Sequence, residues 1–213
     1  MDSRFSISPQ AYDAWFSTPQ GRRILEEEQA LFQRILWKER GSLLDIGCGT
    51  GIFTGFFKKL GFPTTGLDFS QEMLLHLKSK EPDIPLVRGN AQLLPFKKDS
   101  FQYATLVTVL EFLPHPFYAL VEATKVAQKG VAVAFLPPWS PTNLKRRAKS
   151  LLGRSSFQQA HFLSFSRILS MIKEGCKANL RDVKRIEQGG CLFPRNLRLL
   201  SLASFAVIRV DYE

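Results

Sequence analysis

A short apolar strand that runs directly into a glycine-rich turn and then into a helix constrains the fold of this chain more than any other feature. Residues 43–51 read LLDIGCGTG. Beyond the turn, apolar residues recur at helical spacing until Gly61, where a glycine cap is expected. Glycines allow backbone atoms to approach a ligand closely. The sequence therefore predicts a nucleotide-like ligand at a strand-to-helix turn.

The spacing of the glycines indicates which ligand to expect. A dinucleotide-binding turn carries a further glycine at the position that Ile52 occupies here. Instead, the glycines alternate at Gly47, Gly49 and Gly51, and Asp45 stands two residues before the first of them. This arrangement resembles motif I of the class I S-adenosylmethionine-dependent methyltransferases.

The resemblance extends over about half the chain and is closest to the small type 11 branch of that superfamily. It implies an α/β fold that is Rossmann-like and doubly wound, with a mostly parallel seven-stranded sheet, the last strand antiparallel and helices on both faces. It also implies that the chain binds S-adenosyl-L-methionine as methyl donor and releases S-adenosyl-L-homocysteine.

The resemblance assigns cofactor contacts residue by residue. Asp45 is expected to meet the amino group of the methionine end, directly or through water, and Asp68 is expected to bind the ribose hydroxyls. Phe69 would cover one face of the adenine. Asn90 replaces the family's acid at the adenine amino group, where an amide oxygen still accepts a hydrogen bond without charge assistance. The other expected cofactor contacts are Tyr12, Gly47, Cys48, Gly49, Gly51, Met73, Ala91 and Thr108.

The catalytic residues are harder to infer, because aligning the acceptor and excluding water can supply much of the acceleration of methyl transfer. A general base is needed only if the acceptor carries a proton that must leave. Glu111, directly after the predicted fourth strand, is the first candidate and His115 is the second. His161 lies in a predicted lid. The three cysteines are widely spaced, so neither a disulfide framework nor a metal site is predicted.

We expect a single domain over residues 1–213. Its parts are an N-terminal helical cap (1–40), the cofactor-binding core (41–138), a basic lid insertion (139–165) and a closing helix with the C-terminal strands (166–213). Ser140 is expected to cap the lid helix, and Ser166 and Gly175 are expected to bound the closing helix. The Gly189-Gly190 pair is expected to mark the loop before a final strand over residues 202–212.

The formal net charge of +10 and the isoelectric point near 9.7 leave the role of the lid helix, residues 141–154, open. One interpretation is a solvated basic face, containing Lys145, Arg146, Arg147 and Lys149, opposite an apolar stripe that includes Leu144 and packs over the substrate pocket. Another is peripheral membrane contact that reaches a lipid-like or quinone substrate. Nucleic-acid binding is the third, although the sequence contains no recognised module for it.

Together these patterns predict a cytoplasmic methyltransferase that acts on a small-molecule or lipid-like acceptor. The N-terminus lacks the pattern of a signal peptide, and no apolar run approaches the roughly 18 residues that a membrane span needs. Two alternatives stay open: a non-catalytic S-adenosylmethionine-binding protein, suggested by Asn90, and an RNA methyltransferase, suggested by the charge. No feature of the sequence sets an oligomeric state.

Overall fold

The fold is built around a seven-stranded sheet. The structure, a computed structural model, describes residues 7–151, 160–191 and 203–213. The strands are β1 (Leu43–Ile46), β2 (Thr64–Asp68), β3 (Leu86–Arg88), β4 (Phe101–Val107), β5 (Ala127–Phe135), β6 (Val183–Cys191) and β7 (Phe205–Tyr212). The α-helices are α1 (Pro9–Ser17), α2 (Pro19–Ile35), α3 (Ile52–Lys59), α4 (Gln71–Lys80), α5 (Pro116–Val126), α6 (Pro141–Leu151) and α7 (Phe165–Ala178).

The order of the strands places a ligand site at one edge of the sheet. The strands lie in the order β3-β2-β1-β4-β5-β7-β6, and the chain reverses its direction of travel across the sheet between β1 and β4. All pairings are parallel except those of β7, which runs antiparallel to both β5 and β6. The predicted fold class is confirmed. In such sheets ligands bind outside the carboxyl ends of the strands at the point of reversal.

Helices cover both faces of the sheet, which explains the continuous apolar runs of the central strands. Residues 131–135 of β5 are fully buried. One face packs against α5 and α7, and the other packs against α2 and α3. Phe32 and Phe57 lie edge to face in the second of these layers, with ring centroids 5.4 Å apart. The apolar layers hold the carboxyl ends of the strands in fixed positions.

Two predictions about glycines in the C-terminal part were wrong. Helix α7 is capped by Ser164 and not by the predicted Ser166, which lies inside the helix. The Oγ of Ser164 accepts from the backbone N–H of Arg167, and the helix continues past Gly175 to Ala178. A Cβ on Gly175 would lie 3.1 Å from Thr124 Oγ1, so this glycine permits close packing of α7 on α5. The Gly189-Gly190 pair lies inside β6, where a Cβ on Gly189 would meet side chains of α2 at 2.7 Å. Gly175 and Gly189 thus allow neighbouring elements to pack closely.

Helix α6 turns a different face inward from the one predicted. Ser140 caps the helix as expected, but Leu144 of the predicted packed face is 44% exposed. Asn143 is buried, and its side-chain amide donates to the carbonyls of Pro137 at 2.8 Å and Ser204 at 3.0 Å. These hydrogen bonds set the orientation of the helix, because leaving the buried amide of Asn143 without hydrogen-bond partners would cost more free energy than exposing Leu144 to solvent.

Some predicted features lie outside the described residues. These are the end of the basic helix at residues 152–154, the start of the final strand at residue 202, and the side chains of Arg147 and Lys149. Within the described ranges, no helix has the length and apolar character needed to cross a bilayer. The same ranges contain no cluster of three His, Cys, Asp or Glu side chains arranged to hold a metal ion.

Candidate cofactor and acceptor site

A large cavity opens at the carboxyl ends of β1, β2, β4 and β5, below helices α1 and α2. Its volume is about 1060 Å³, at the upper end of the range of about 300–1,000 Å³ typical of small-molecule sites. All the residues predicted to contact the cofactor line this cavity except Gly51. The strand order therefore brings together side chains and backbone from positions 12 to 108 of the sequence.

The glycines of the turn after β1 have different surroundings. Gly49 has a positive φ of +52°, and a Cβ added to it would meet no atom within 4 Å, so its Cα faces open space in the cavity. Gly51 has a φ of +83°, and a Cβ there would lie 2.0 Å from a methyl carbon of Leu77. Only glycine can adopt this torsion and also fit beside Leu77 at position 51. Gly49 thus faces a ligand, whereas Gly51 packs the turn against α4.

Asp68 ends β2 with its carboxylate fixed by backbone donors. The N–H of Gly49 donates to Oδ2 and the N–H of Ser70 donates to Oδ1, both at 2.8 Å. Burial raises the pKa of Asp68, and these backbone hydrogen bonds oppose the rise. Each carboxylate oxygen keeps a further lone pair, so the group can still accept hydrogen bonds from a ligand in the cavity.

Asp45 lies deeper and is almost entirely buried. Thr54 Oγ1 donates to its Oδ2 at 2.7 Å, and Thr105 Oγ1 donates to its Oδ1 at 3.0 Å. Burial raises the pKa of Asp45 to about 6, against these two hydrogen bonds. The carboxyl group therefore connects α3 and β4 to the end of β1, and Asp45 also lines the cavity.

Three further predicted residues form the walls of the cavity around these carboxylates. Phe69 is 44% exposed at the edge of the cavity. Asn90 Oδ1 accepts from the N–H of Gln92 at 2.9 Å, which leaves its second lone pair for a ligand. Thr108 holds a positive φ of +50°, a conformation that L-residues with branched side chains rarely adopt and that clusters at functional sites.

Comparison with known proteins agrees with this geometry. A family model described as a methyltransferase domain matches residues 44–135, from β1 to the end of β5. Residues 44–135 of the chain therefore form a methyltransferase domain. A demethylmenaquinone methyltransferase of Staphylococcus aureus is 28% identical to this methyltransferase over 198 residues, which cover 86% of this chain and 78% of the relative.

Solved structures share the complete fold of the methyltransferase. A Thermotoga maritima protein, described as an S-adenosylmethionine-dependent methyltransferase and possible histamine N-methyltransferase, superposes with a TM-score of 0.78 at 22% identity, covering 96% of both chains. The magnesium protoporphyrin IX methyltransferase of Synechocystis, solved with bound S-adenosylhomocysteine, gives a TM-score of 0.67 at 11% identity over 97% of this chain and 96% of that chain.

The predicted catalytic candidates do not line the cavity of the methyltransferase. Glu111 lies in a short 3-10 helix, fully buried, and its Oε1 accepts from the N–H of Leu136 at 2.7 Å. Burial raises the pKa of Glu111 to about 7. His115 is exposed at the start of α5, where its backbone N–H donates to Gln92, and His161 is also exposed. Catalytic roles for Glu111 and His115 remain predictions.

Three charged residues that sequence reasoning missed do line the cavity. Glu28 comes from α2, Glu72 comes from α4 and Arg146 comes from α6. A sequence signal existed for Glu28, because it occupies the helical stripe that contains Ile24 and Ile35, and an acid in an otherwise apolar stripe is unusual. No comparable signal existed for Arg146, which stands in a run of basic residues.

Helix α1 is fastened across the cavity by an ionic contact. Asp13 of α1 accepts from His76 Nε2 at 2.8 Å and from Lys80 Nζ, both on α4. Burial raises the pKa of Asp13, but hydrogen bonds from Lys80 and His76 outweigh it and leave the pKa below its ordinary value. This contact holds Tyr12 over the cavity, and burial raises the pKa of the Tyr12 phenol.

Proposed function

We propose that the methyltransferase transfers the methyl group of S-adenosylmethionine to a small-molecule or lipid-like acceptor. The observation that carries this proposal is the composition of the cavity. We call the part around the strand ends and their carboxylates the cofactor end, and the part bordered by the apolar side chains of the other elements the acceptor end. The apolar walls comprise Ile24, Phe53, Phe112, Leu113 and Leu136. Apolar walls with few polar groups are typical of sites for apolar ligands.

The cofactor end fits the group that the family requires. When bound, S-adenosylmethionine supplies an electrophilic methyl group on a positively charged sulfur. We assign Asp68 to the ribose hydroxyls, because its carboxylate is already aligned by two backbone donors and can form charge-assisted bonds. The open space beside Gly49 leaves room for the nucleoside against the backbone. Asp45 acts on the amino group through water, since both its oxygens already accept from threonines.

The adenine and methionine ends of the cofactor take the remaining predicted contacts. We assign Phe69 to one face of the adenine and Asn90 Oδ1 to its amino group. Thr108 would contact the methionine moiety through its backbone. Gly47, Cys48, Met73, Ala91 and Tyr12 complete the walls of this end.

The acceptor class has support from a relative. The Staphylococcus aureus relative is named for demethylmenaquinone, a lipid-like acceptor. Peripheral contact of the basic helix α6 with a membrane, which would bring such an acceptor within reach, stays a prediction that flotation with anionic vesicles would test. A cytoplasmic location likewise stays a prediction, measurable by fractionation of cells that produce the chain.

A labelled methyl group would test the proposed function. The purified chain is incubated with S-adenosylmethionine carrying a labelled methyl group, together with either a metabolite and lipid extract or total RNA. We expect label to enter a small organic molecule, with S-adenosylhomocysteine formed in equal amount. Label in the RNA alone would overturn the acceptor class. Cofactor binding measured by calorimetry, without transfer to either mixture, would support the non-catalytic alternative instead.

A further inference from the structure

We propose that Glu28 is the general base of the reaction, that Arg146 binds the oxygen that loses the proton, and that the acceptor is an apolar ring bearing an ionisable hydroxyl. This inference rests on the proposed function and deepens it. It assigns a chemical class to the acceptor and names the atom that receives the methyl group, neither of which follows from the fold.

Glu28 occupies a position suited to proton transfer. It is half-buried in the cavity wall on α2, one helical turn from Ile24, and faces the same space as the cofactor-end residues. Among the described residues, its carboxyl group has no hydrogen-bond or ion-pair partner. By contrast, Asp45 and Asp68 use both oxygens in hydrogen bonds to the protein. A carboxyl group left in this way inside a cavity is available to a ligand.

Arg146, on α6, lines the same cavity and interacts electrostatically with Glu28. Its Nη1 donates to Asn143 Oδ1 at 2.8 Å, and Asn143 is itself buried and held by two backbone carbonyls. The guanidinium group is therefore positioned by a chain of hydrogen bonds that begins in the fold. Because arginine stays protonated in proteins and donates in a fixed geometry, it suits an oxygen that acquires negative charge.

The surroundings of Glu28 set its proton affinity. Burial raises the pKa of Glu28 to about 8, Arg146 opposes the rise, and the neighbouring Glu27 adds to it. Tyr12 of α1 and Cys191 of β6 are the other titratable groups that interact with Glu28. A base with a pKa near the working pH combines a useful ionised fraction with a strong affinity for the proton.

The charges favour a hydroxyl acceptor over an amine. A cationic amine would face the guanidinium of Arg146 as well as the positive sulfur of the cofactor, so its binding would be opposed by two like charges. A hydroxyl is neutral when it enters and becomes negative when Glu28 takes its proton, so both positive charges then stabilise it. The apolar walls fit the ring that makes such a hydroxyl acidic.

Methyl transfer to the hydroxyl requires loss of its proton. The hydroxyl proton passes to a Glu28 carboxylate oxygen. A lone pair of the acceptor oxygen forms the bond to the methyl carbon, while the carbon–sulfur bond breaks and its electron pair stays on sulfur. The products are a methyl ether and S-adenosylhomocysteine, and Glu28 then releases the proton to solvent.

Three probes test the inference: 4-butylphenol, the more acidic 4-nitrophenol, and 4-butylbenzylamine, which is cationic at neutral pH. The variant is Glu28→Gln, and Glu26→Gln is the control because Glu26 is exposed and does not line the cavity. We expect the wild type to methylate both phenols but not the amine. Glu28→Gln should lower the rate with 4-butylphenol by about 100-fold and the rate with 4-nitrophenol by less than about 10-fold, because general-base catalysis contributes about 10²–10⁴-fold. The control should stay within about twofold of wild type.

A readout without turnover uses the ultraviolet absorbance of the phenolate form of 4-butylphenol. Titration of 4-butylphenol with wild-type protein, without cofactor, at a pH above the pKa of about 8 of Glu28 and below the pKa of the free phenol should increase this absorbance, because the ionised Glu28 takes the proton and Arg146 stabilises the anion. Glu28→Gln should abolish this increase and Glu26→Gln should keep it.

Several results would overturn the inference. Equal rate losses of Glu28→Gln with both phenols, or an unchanged absorbance titration in that variant, would remove Glu28 as the base. Methyl transfer to neither phenol, by wild-type protein that binds S-adenosylmethionine in calorimetry, would reject the hydroxyl acceptor and leave the proposed methyl transfer standing. Failure of the wild type to bind S-adenosylmethionine would instead overturn the proposed function.

Discussion

The two ends of the cavity use carboxyl groups in opposite ways. At the cofactor end, Asp45 and Asp68 each accept hydrogen bonds from the protein on both oxygens, so their positions and charges are fixed before a ligand arrives. At the acceptor end, Glu28 has only charged neighbours at longer range. The difference indicates that a fixed carboxylate suits recognition of an unchanging cofactor, whereas a loosely surrounded one suits proton exchange.

The ends also differ in what forms their walls. The cofactor end is built on the turns that follow β1, β2 and β3, whereas the acceptor end takes its side chains from α2, α3, α6 and the segments after β4 and β5. Strand ends are held by the sheet, and helices on its rim can vary their side chains without disturbing it. A common cofactor site and a variable acceptor site follow from that division.

The cofactor end is tested most strongly by Asp68→Asn. The amide nitrogen would face one of the two backbone N–H donors, from Gly49 or Ser70, and the charge toward the ribose would be lost. We expect S-adenosylmethionine to bind about 10- to 100-fold more weakly, because hydrogen bonds to charged groups contribute about 1.5–3 kcal/mol. Calorimetry measures the affinity. An affinity within twofold of wild type would show that Asp68 does not bind the cofactor.

The second prediction separates ligand contact from packing within one turn. Gly49→Ala places a methyl group in the open cavity and should weaken S-adenosylmethionine binding about 10-fold, with a loss of about 1 kcal/mol in stability from its positive φ. Gly51→Ala meets Leu77 and should lower the free energy of unfolding by about 3 kcal/mol. Calorimetry and denaturant unfolding give the two quantities. The same ranking of the variants in both measurements would contradict the distinction.

The smallest expected effect concerns Glu111, whose carboxyl group does not line the cavity. Its folded pKa of about 7 exceeds the ordinary value of 4.5, so the native state binds the proton more tightly than the unfolded state. Stability should therefore fall as the pH rises from about 4.5 to about 7, by at most about 3 kcal/mol. Glu111→Gln keeps an acceptor for the Leu136 N–H and should reduce this decline. Asp45, Asp68 and Glu28 contribute the rest, because burial also raises their pKa values.

Denaturant unfolding across that pH range measures the effect of Glu111→Gln. The exposed Glu174 supplies the control, because Glu174→Gln should keep the pH dependence of the wild type. An unchanged decline in Glu111→Gln would assign the pH dependence to other groups. A loss of methyl transfer as large as that of Glu28→Gln would return Glu111 to the role predicted from the sequence.

Local signals in the sequence determined the order of the elements and the cofactor end. The glycine turn, the caps at Ser70 and Ser140 and the acid that ends β2 depend on neighbours within a few residues, so they can be identified without the fold. The sheet then follows, because alternating strands and helices with buried apolar strands have few other solutions.

Only the tertiary structure decided the acceptor end and the use of several glycines. Glu28 and Arg146 line the same cavity although they stand 118 positions apart in the sequence. Gly175 and Gly189 resemble chain breakers in the sequence, yet each permits a neighbouring element to pack closely. Glu111 follows a strand, as a catalytic carboxylate would, but its side chain is buried and accepts a hydrogen bond from the Leu136 N–H. The contacts that a side chain makes with distant segments depend on how those segments pack together. Periodicity, caps and turns are local signals, so they do not predict these contacts.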